Sequence, residues 1–105
     1  MGTSNKEEMY KEFLKDYPDD SMVHFSLGLL YLDENRLEEA IQALETTIKL
    51  QPDYMAACWK LANAYEEIQA IDKAIQTYKR TLQLAQQIND QTMIDDVQER
   101  LEFLQ

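Results

Sequence analysis

The chain has 105 residues, enough for one cored domain and too few for two. Its composition is that of a globular protein, with 45% hydrophobic residues and two Gly and two Pro. No apolar run nears the roughly 20 residues of a membrane span. A net charge of −10 argues against nucleic acid and anionic membrane as partners, since both want clustered Lys and Arg.

Lys6 to Tyr17 reads as a short helix with Met9, Tyr10, Phe13, Leu14 and Tyr17 on one face. Pro18 ends it, because the residue before proline disfavours the helical region. Asp19, Asp20 and Ser21 are N-cap candidates for a helix at about 20–33. The tight turn falls at Glu34-Asn35-Arg36, where Asn tolerates a left-handed conformation. A helix at about 37–50 follows, burying Leu37, Ala40, Ile41, Leu44, Ile48 and Leu50. Pro52-Asp53 opens the next pair, predicted at about 54–67 and 71–86 with Asp53 as N-cap. The turn Ile68-Gln69-Ala70 lacks Gly or Asn. Asn89-Asp90 leads into a last helix at about 91–104, with Met93, Ile94, Val97, Leu101 and Leu104 as its apolar stripe.

These elements repeat at a spacing of 34 residues. Tyr17-Pro18-Asp19 returns as Gln51-Pro52-Asp53. Leu27, Tyr31, Ala40, Ile41, Gln42, Thr47 and Leu50 return as Leu61, Tyr65, Ala74, Ile75, Gln76, Thr81 and Leu84. Tyr10 and Leu14 share the same spacing with Leu44 and Ile48, so the first segment resembles the second helix of a truncated unit. The pattern is expected to stop after 88, where Asp95, Asp96 and Glu99 fall in the places of Leu61, Ala62 and Tyr65. The expected architecture is all-α, an α-α superhelix of antiparallel pairs with about five helices. It comprises a half-repeat at 6–17, repeats at 20–52 and 54–88, and an acidic cap at 90–105.

His24, Leu27, Gly28, Tyr31, Ala40, Leu44 and Pro52 match the pattern of the tetratricopeptide repeat (TPR) family, as do Cys58, Leu61, Ala62, Tyr65, Ala74 and Tyr78. The chain resembles that family over about 19–88, and its layout resembles small free-standing bacterial members. Departures are His24 and Cys58 for the usual Trp, Thr47 and Thr81 for a usual Ala, and Gln86 for a closing proline. The resemblance implies a right-handed stack.

Little in the chain points to catalysis. His24 and Cys58 are the only residues of their kinds and stand at equivalent repeat positions, which indicates packing slots. There is no phosphate-cradling Gly loop, metal-spaced Cys/His set or calcium loop, and no cofactor is implied. Neighbouring acids such as Glu66/Glu67 diverge by about 100° around a helix and form no catalytic pair. One cysteine and no signal-type apolar stretch fit a cytoplasmic location, and the acidic last helix fits a true C-terminus. Residues 19–52 carry seven acids and two bases, a balance of −5, and 89–105 carry five acids against Arg100.

In TPR proteins the first helix of each pair lines a concave groove, so the resemblance implies a groove that holds an extended peptide or a helix. Its residues would be Met22, Phe25, Leu29 and Leu32 from the first copy, with Trp59, Lys60 and Asn63 from the second. The helix at 20–33 is apolar nearly all round, and one core face cannot account for that. Phe25, Leu29 and Leu32 fall on one stripe, expected beside Trp59, an anchor composition suited to binding. The expected function is a non-catalytic protein-interaction module, its partner a protein or peptide with apolar and basic residues. The alternative is a homodimeric scaffold that uses the same groove as its interface.

Overall fold

The computed structural model describes residues 2–105, with side chains from Asn5 onward. Six helices are present among the described residues: α1 (Gly2–Asp16), α2 (Ser21–Asp33), α3 (Leu37–Leu50), α4 (Met55–Glu67), α5 (Ile71–Gln87) and α6 (Gln91–Leu104). The expectation of five is corrected, because a half-repeat, two helix pairs and a cap already need six. The chain forms two compact units, Met1–Pro52 and Asp53–Gln105, each of three helices.

In the first unit, Leu27, Tyr31 and Ala40 form a buried cluster against which Tyr10, Leu14, Leu32 and Ala43 pack. Gly28 permits the close approach of α2 and α3: a Cβ there would stand 2.9 Å from Leu44 Cγ and Cδ2, and Leu44 is fully buried. Thr47 is fully buried, and its Oγ1 donates to the Ala43 carbonyl at 2.9 Å. Thr81 repeats the arrangement on Thr77 at 2.8 Å, so a hydroxyl stands in for a methyl without leaving a buried polar atom unpaired.

Asp20 caps α2, its carboxylate accepting from Val23 N at 3.1 Å. His24 Nε2 lies 2.8 Å from the Pro18 carbonyl, so that nitrogen carries the proton and ties the α1–α2 connection to α2. In the second unit the N-cap is Tyr54, with no side-chain cap bond, and the assignment of Asp53 is corrected. The reason is register: 34 residues after Asp20 stands Tyr54, whereas Asp53 is the counterpart of Asp19.

The repeat does not stop at 88; it slips. α5 has 17 residues against 14 in α3, and the connector after it has three residues against four. The net gain of 3 − 1 = 2 shifts the spacing from 34 to 36. Ile94, Val97 and Leu101 then take the places of Cys58, Leu61 and Tyr65. Val97 and Leu101 are buried, while Asp95, Asp96 and Glu99 face outward. Gln98 falls where Ala62 is buried, and it is exposed.

Three turns share one geometry. Asn35, Gln69 and Asn89 have φ of 58°, 67° and 57°. The next amide in each case reaches back five residues, Arg36 to Tyr31, Ala70 to Tyr65 and Asp90 to Ala85, at 2.8, 2.8 and 2.9 Å. This is the Schellman closure of a helix C-terminus. Asn suits the left-handed residue and Gln does not, so strain collects at Gln69. Gln69→Gly is expected to raise stability by about 1 kcal/mol, a rise in Tm of roughly 4–8 °C. Thermal unfolding by circular dichroism checks it, and a lower Tm would refute strain at this turn.

α1 has no buried residue among those described, so polar contacts matter in holding it. Glu7 accepts from Arg36 Nη1 at 2.9 Å and from the Tyr31 hydroxyl at 3.0 Å, and pairs with Lys11 at 3.0 Å. Arg36 also bonds Glu39 and Glu34 and lies 4.5 Å over the Tyr31 ring. The hydrogen bonds from Arg36, then Lys11, hold the Glu7 carboxyl down at about 2 against the opposing effect of burial. A folded value below the ordinary 4.5 means that the unfolded chain takes up the proton first. This stabilisation is complete above about pH 5 and is lost as pH falls towards 2. Urea midpoints should therefore drop between about pH 6 and pH 3, and the drop should be smaller in Glu7→Gln. Equal drops in the two proteins would exclude Glu7 as a source of acid sensitivity.

Candidate protein-interaction surface

α2 has no Asp, Glu, Lys or Arg before Asp33, and the burial of Leu27, Gly28, Leu30 and Tyr31 uses only part of its surface. Met22 is 66% exposed, and Phe25 and Leu29 are half-buried on the same helix face. Leu32 is also half-buried, but it packs on the Leu27–Tyr31–Ala40 cluster and so belongs partly to the core. Leu29 borders a cleft of about 160 Å³ between α1 and α2, lined also by Lys6, Tyr10, Ser26, Leu30 and Asp33.

On α4, Lys60 is exposed and Trp59 is half-buried, its ring 5.6 Å from that of Tyr78. The Tyr78 side chain is fully buried, with its hydroxyl 2.7 Å from Asn63 Oδ1 and 2.8 Å from Glu66 Oε1. One hydroxyl proton cannot serve both acceptors. With the Asn63 amide turned, its NH₂ donates to the hydroxyl oxygen and the proton goes to Glu66. Arg100 of α6 pairs with the same carboxylate and lies 4.8 Å over the Phe103 ring. Burial raises the Glu66 pKa, and the hydrogen bonds from Arg100 and Tyr78 outweigh it, leaving the carboxyl below its ordinary value. Burial first, and then the bond to Glu66, push the Tyr78 phenol well above its own.

Sequence reasoning placed Asn63 on the binding face but missed this network. The available signal was Arg100, the single base among the acids of 89–105. Cys58 is buried, and desolvation raises its thiol pKa, as befits an unreactive packing residue. Among the described residues no three His, Cys, Asp or Glu side chains converge as a metal site, and no helix is long and apolar enough to cross a membrane.

Family models described as TPR repeat or tetratricopeptide repeat match residues 9–42, 28–69 and 57–92, together well over half of the chain. The chain belongs to the tetratricopeptide repeat family. A sequence relative is the chloroplastic TPR domain-containing protein PYG7 of Arabidopsis thaliana, 33% identical over 67 residues. That match covers 64% of this chain and 22% of PYG7, so the chain spans about a fifth of its relative. Among solved structures, a TPR domain protein of Salinibacter ruber superposes with a TM-score of 0.74 at 23% identity, over 84% of this chain and 89% of that one. The TPR2B domain of yeast Sti1, in its complex with pHsp70, superposes with a TM-score of 0.85 at 16% identity, over 98% and 82%. At these identities the likeness is one of fold.

Tyr78→Phe removes the hydroxyl that joins α5 to α4 and keeps the ring against Trp59. It is expected to cost about 1–3 kcal/mol, since Glu66 and Asn63 lose a part-buried partner. Urea unfolding followed by Trp59 fluorescence measures it, with a native spectrum little changed. A cost indistinguishable from zero would show that solvent replaces the hydroxyl freely.

Proposed function

We propose that this TPR protein is a non-catalytic interaction module that binds a peptide or helix of a partner protein, in a reducing, cytoplasm-like compartment. Met22, Phe25 and Leu29 of α2 take apolar side chains, with Leu32 shared with the core of the first unit. Within the second unit, taken by itself, α4 offers Trp59 and Lys60, and Asn63 only as a group already bonded to Tyr78. The observation that carries this reading is the apolar face of α2: Met22 lies largely in solvent, and Leu29 borders an open cleft. The complexes of two structurally similar proteins, the Sti1 domain with pHsp70 and PcrH with the chaperone binding region of PopD, support a segment of a partner protein as the ligand class. An acidic surface, net −10, favours partners with Lys or Arg beside their apolar residues.

Selection from a displayed peptide library tests the proposal. Enriched peptides should combine apolar and basic residues, and Met22→Glu with Leu29→Glu should weaken binding by roughly tenfold or more at unchanged helicity. Binding that is indifferent to both substitutions would refute the α2 face. Trp59→Ala is a poorer probe, because the indole packs on Tyr78 and its loss also costs stability.

A self-associating scaffold is the second reading. Met9 and Phe13 on α1 and Tyr17 just after it are 61%, 41% and 59% exposed and add apolar surface to the same unit. Light scattering across about a tenfold concentration range separates the two. A mass that rises with concentration and is reset by Leu29→Glu supports the scaffold, and a constant monomer ends it.

A further inference from the structure

α1 carries an apolar stripe that its own unit leaves largely uncovered. Met9 and Phe13, with Tyr17 just after the helix, fall at every fourth residue, and each is exposed. The 34-residue spacing says what covers such positions elsewhere in the chain. Phe13 stands where α3 has Thr47 and α5 has Thr81, and both threonines are fully buried. Met9 stands where α3 has Ala43, which packs on the cluster formed with α2. In each complete pair a preceding helix lies along the second one, α2 on α3 and α4 on α5. α1 has the pattern of a second helix, yet it is the first helix among the described residues. Its Tyr10 and Leu14 turn to the core cluster, and the stripe faces away.

We infer that an amphipathic helix of a partner protein, apolar on one face and basic along one edge, docks on α1 where a first helix lies on α3 and α5. Charge complementarity selects that occupant. Glu8, Glu12 and Asp16 keep the same four-residue spacing, one position ahead of Met9, Phe13 and Tyr17, so a row of carboxylates runs beside the stripe. Of the three, only Glu12 has an ion pair among the described residues, with Lys15, and that pair is too exposed to hold much. Lys6 adds one cation at the start of the stripe, and Lys11 is engaged by Glu7. Lys or Arg at every fourth position of the docking helix pairs with the row, while its apolar face covers the stripe. Opposite Met9 and Phe13 it needs Ala or Gly, because these side chains are bulkier than Ala43 and Thr47. A second copy fits less well. The chain carries −10, and in an antiparallel two-fold pairing of α1 the carboxylate row meets itself. This surface is separate from Met22 and Leu29 of α2, and a partner can hold it whether or not α2 is engaged.

The probe is a synthetic helix of about 15 residues, built from Leu, Ala and Lys with Lys at every fourth position along one edge. Its control has Glu at each Lys. Titrated into the isotope-labelled chain, the Lys peptide should saturate and shift the amides of residues 8–17 most. The Glu peptide should bind roughly tenfold more weakly, or worse. Phe13→Gln should weaken the Lys peptide about tenfold at unchanged helicity. Met9→Gln should act in the same direction, and serves as the test should Phe13→Gln disturb α1. Glu8→Gln, Glu12→Gln and Asp16→Asn together should weaken binding about fivefold and flatten its salt dependence. Shifts spread over the acidic surface at large, equal binding of the two peptides, or indifference to both Phe13→Gln and Met9→Gln overturns the α1 site. Met22→Glu with Leu29→Glu should leave this binding unchanged. Loss in that variant alone assigns the peptide to α2, which upholds the interaction module and sinks the α1 site. Binding at α1 with no selectable α2 peptide supports the α1 site and counts against the α2 reading. A mass that rises with concentration and is reset by Phe13→Gln makes the occupant a second copy and overturns the foreign helix.

Discussion

The close approach of α2 and α3 at Gly28 is the constraint from which much of the first unit follows. These helices have 13 and 14 residues, near the length at which an isolated helix is marginal in water. Each needs a neighbour, and Gly28 lets Leu44 lie directly against the α2 backbone. That contact draws Ala40 and Tyr31 into one buried cluster, with Tyr10 and Leu14 packing on it from α1. It also fixes which side of α2 is consumed by the core. The side left over carries Met22 and Leu29.

The second unit meets the same need with different residues. Ala62 replaces Gly28, and Tyr78 replaces Leu44 at the corresponding place. A larger side chain brings a hydroxyl into the interior, and Asn63 and Glu66 satisfy it. Glu66 in turn engages Arg100, so a change in core packing carries through to the attachment of α6. The two units thus share packing and differ in polar chemistry. In the first, a tyrosine on α2 bonds a carboxylate of α1. In the second, a tyrosine on α5 bonds a carboxylate of α4.

The packing was readable in the sequence because periodicity reports which side chains face inward, and Leu27, Tyr31, Ala40, Leu61, Tyr65 and Ala74 are all buried. The slip to a spacing of 36 is not legible at a fixed period of 34. A longer α5 and a shorter connector change the count without changing the fold. Gln69 was hidden for another reason: hydrogen-bond closure of the helix end imposes a left-handed residue there whatever its type. The candidate binding face was legible only in part. Composition showed that α2 has more apolar surface than one core can use, but not that Leu32 turns to the core or that Lys6 and Tyr10 border the cleft. Such pairings between helices depend on packing angles that periodicity does not encode.

Attachment of the terminal helices follows from how little each can bury. α1 has no buried residue among those described, and α6 has Val97 and Leu101 alone. Both are joined to their units by an arginine–glutamate pair with a tyrosine hydroxyl on the same carboxylate. Charge pairs of this kind add less stability than a packed face, but they fix register, since a fork of donors meets a carboxylate in few orientations. For α1 the register has a consequence at the surface. Sliding the helix by one turn would move Lys6 away from Asp33 and Tyr10 away from Leu29, and the cleft would lose its walls. The Glu7–Arg36 pair therefore serves the geometry of the surface as well as the stability of the fold.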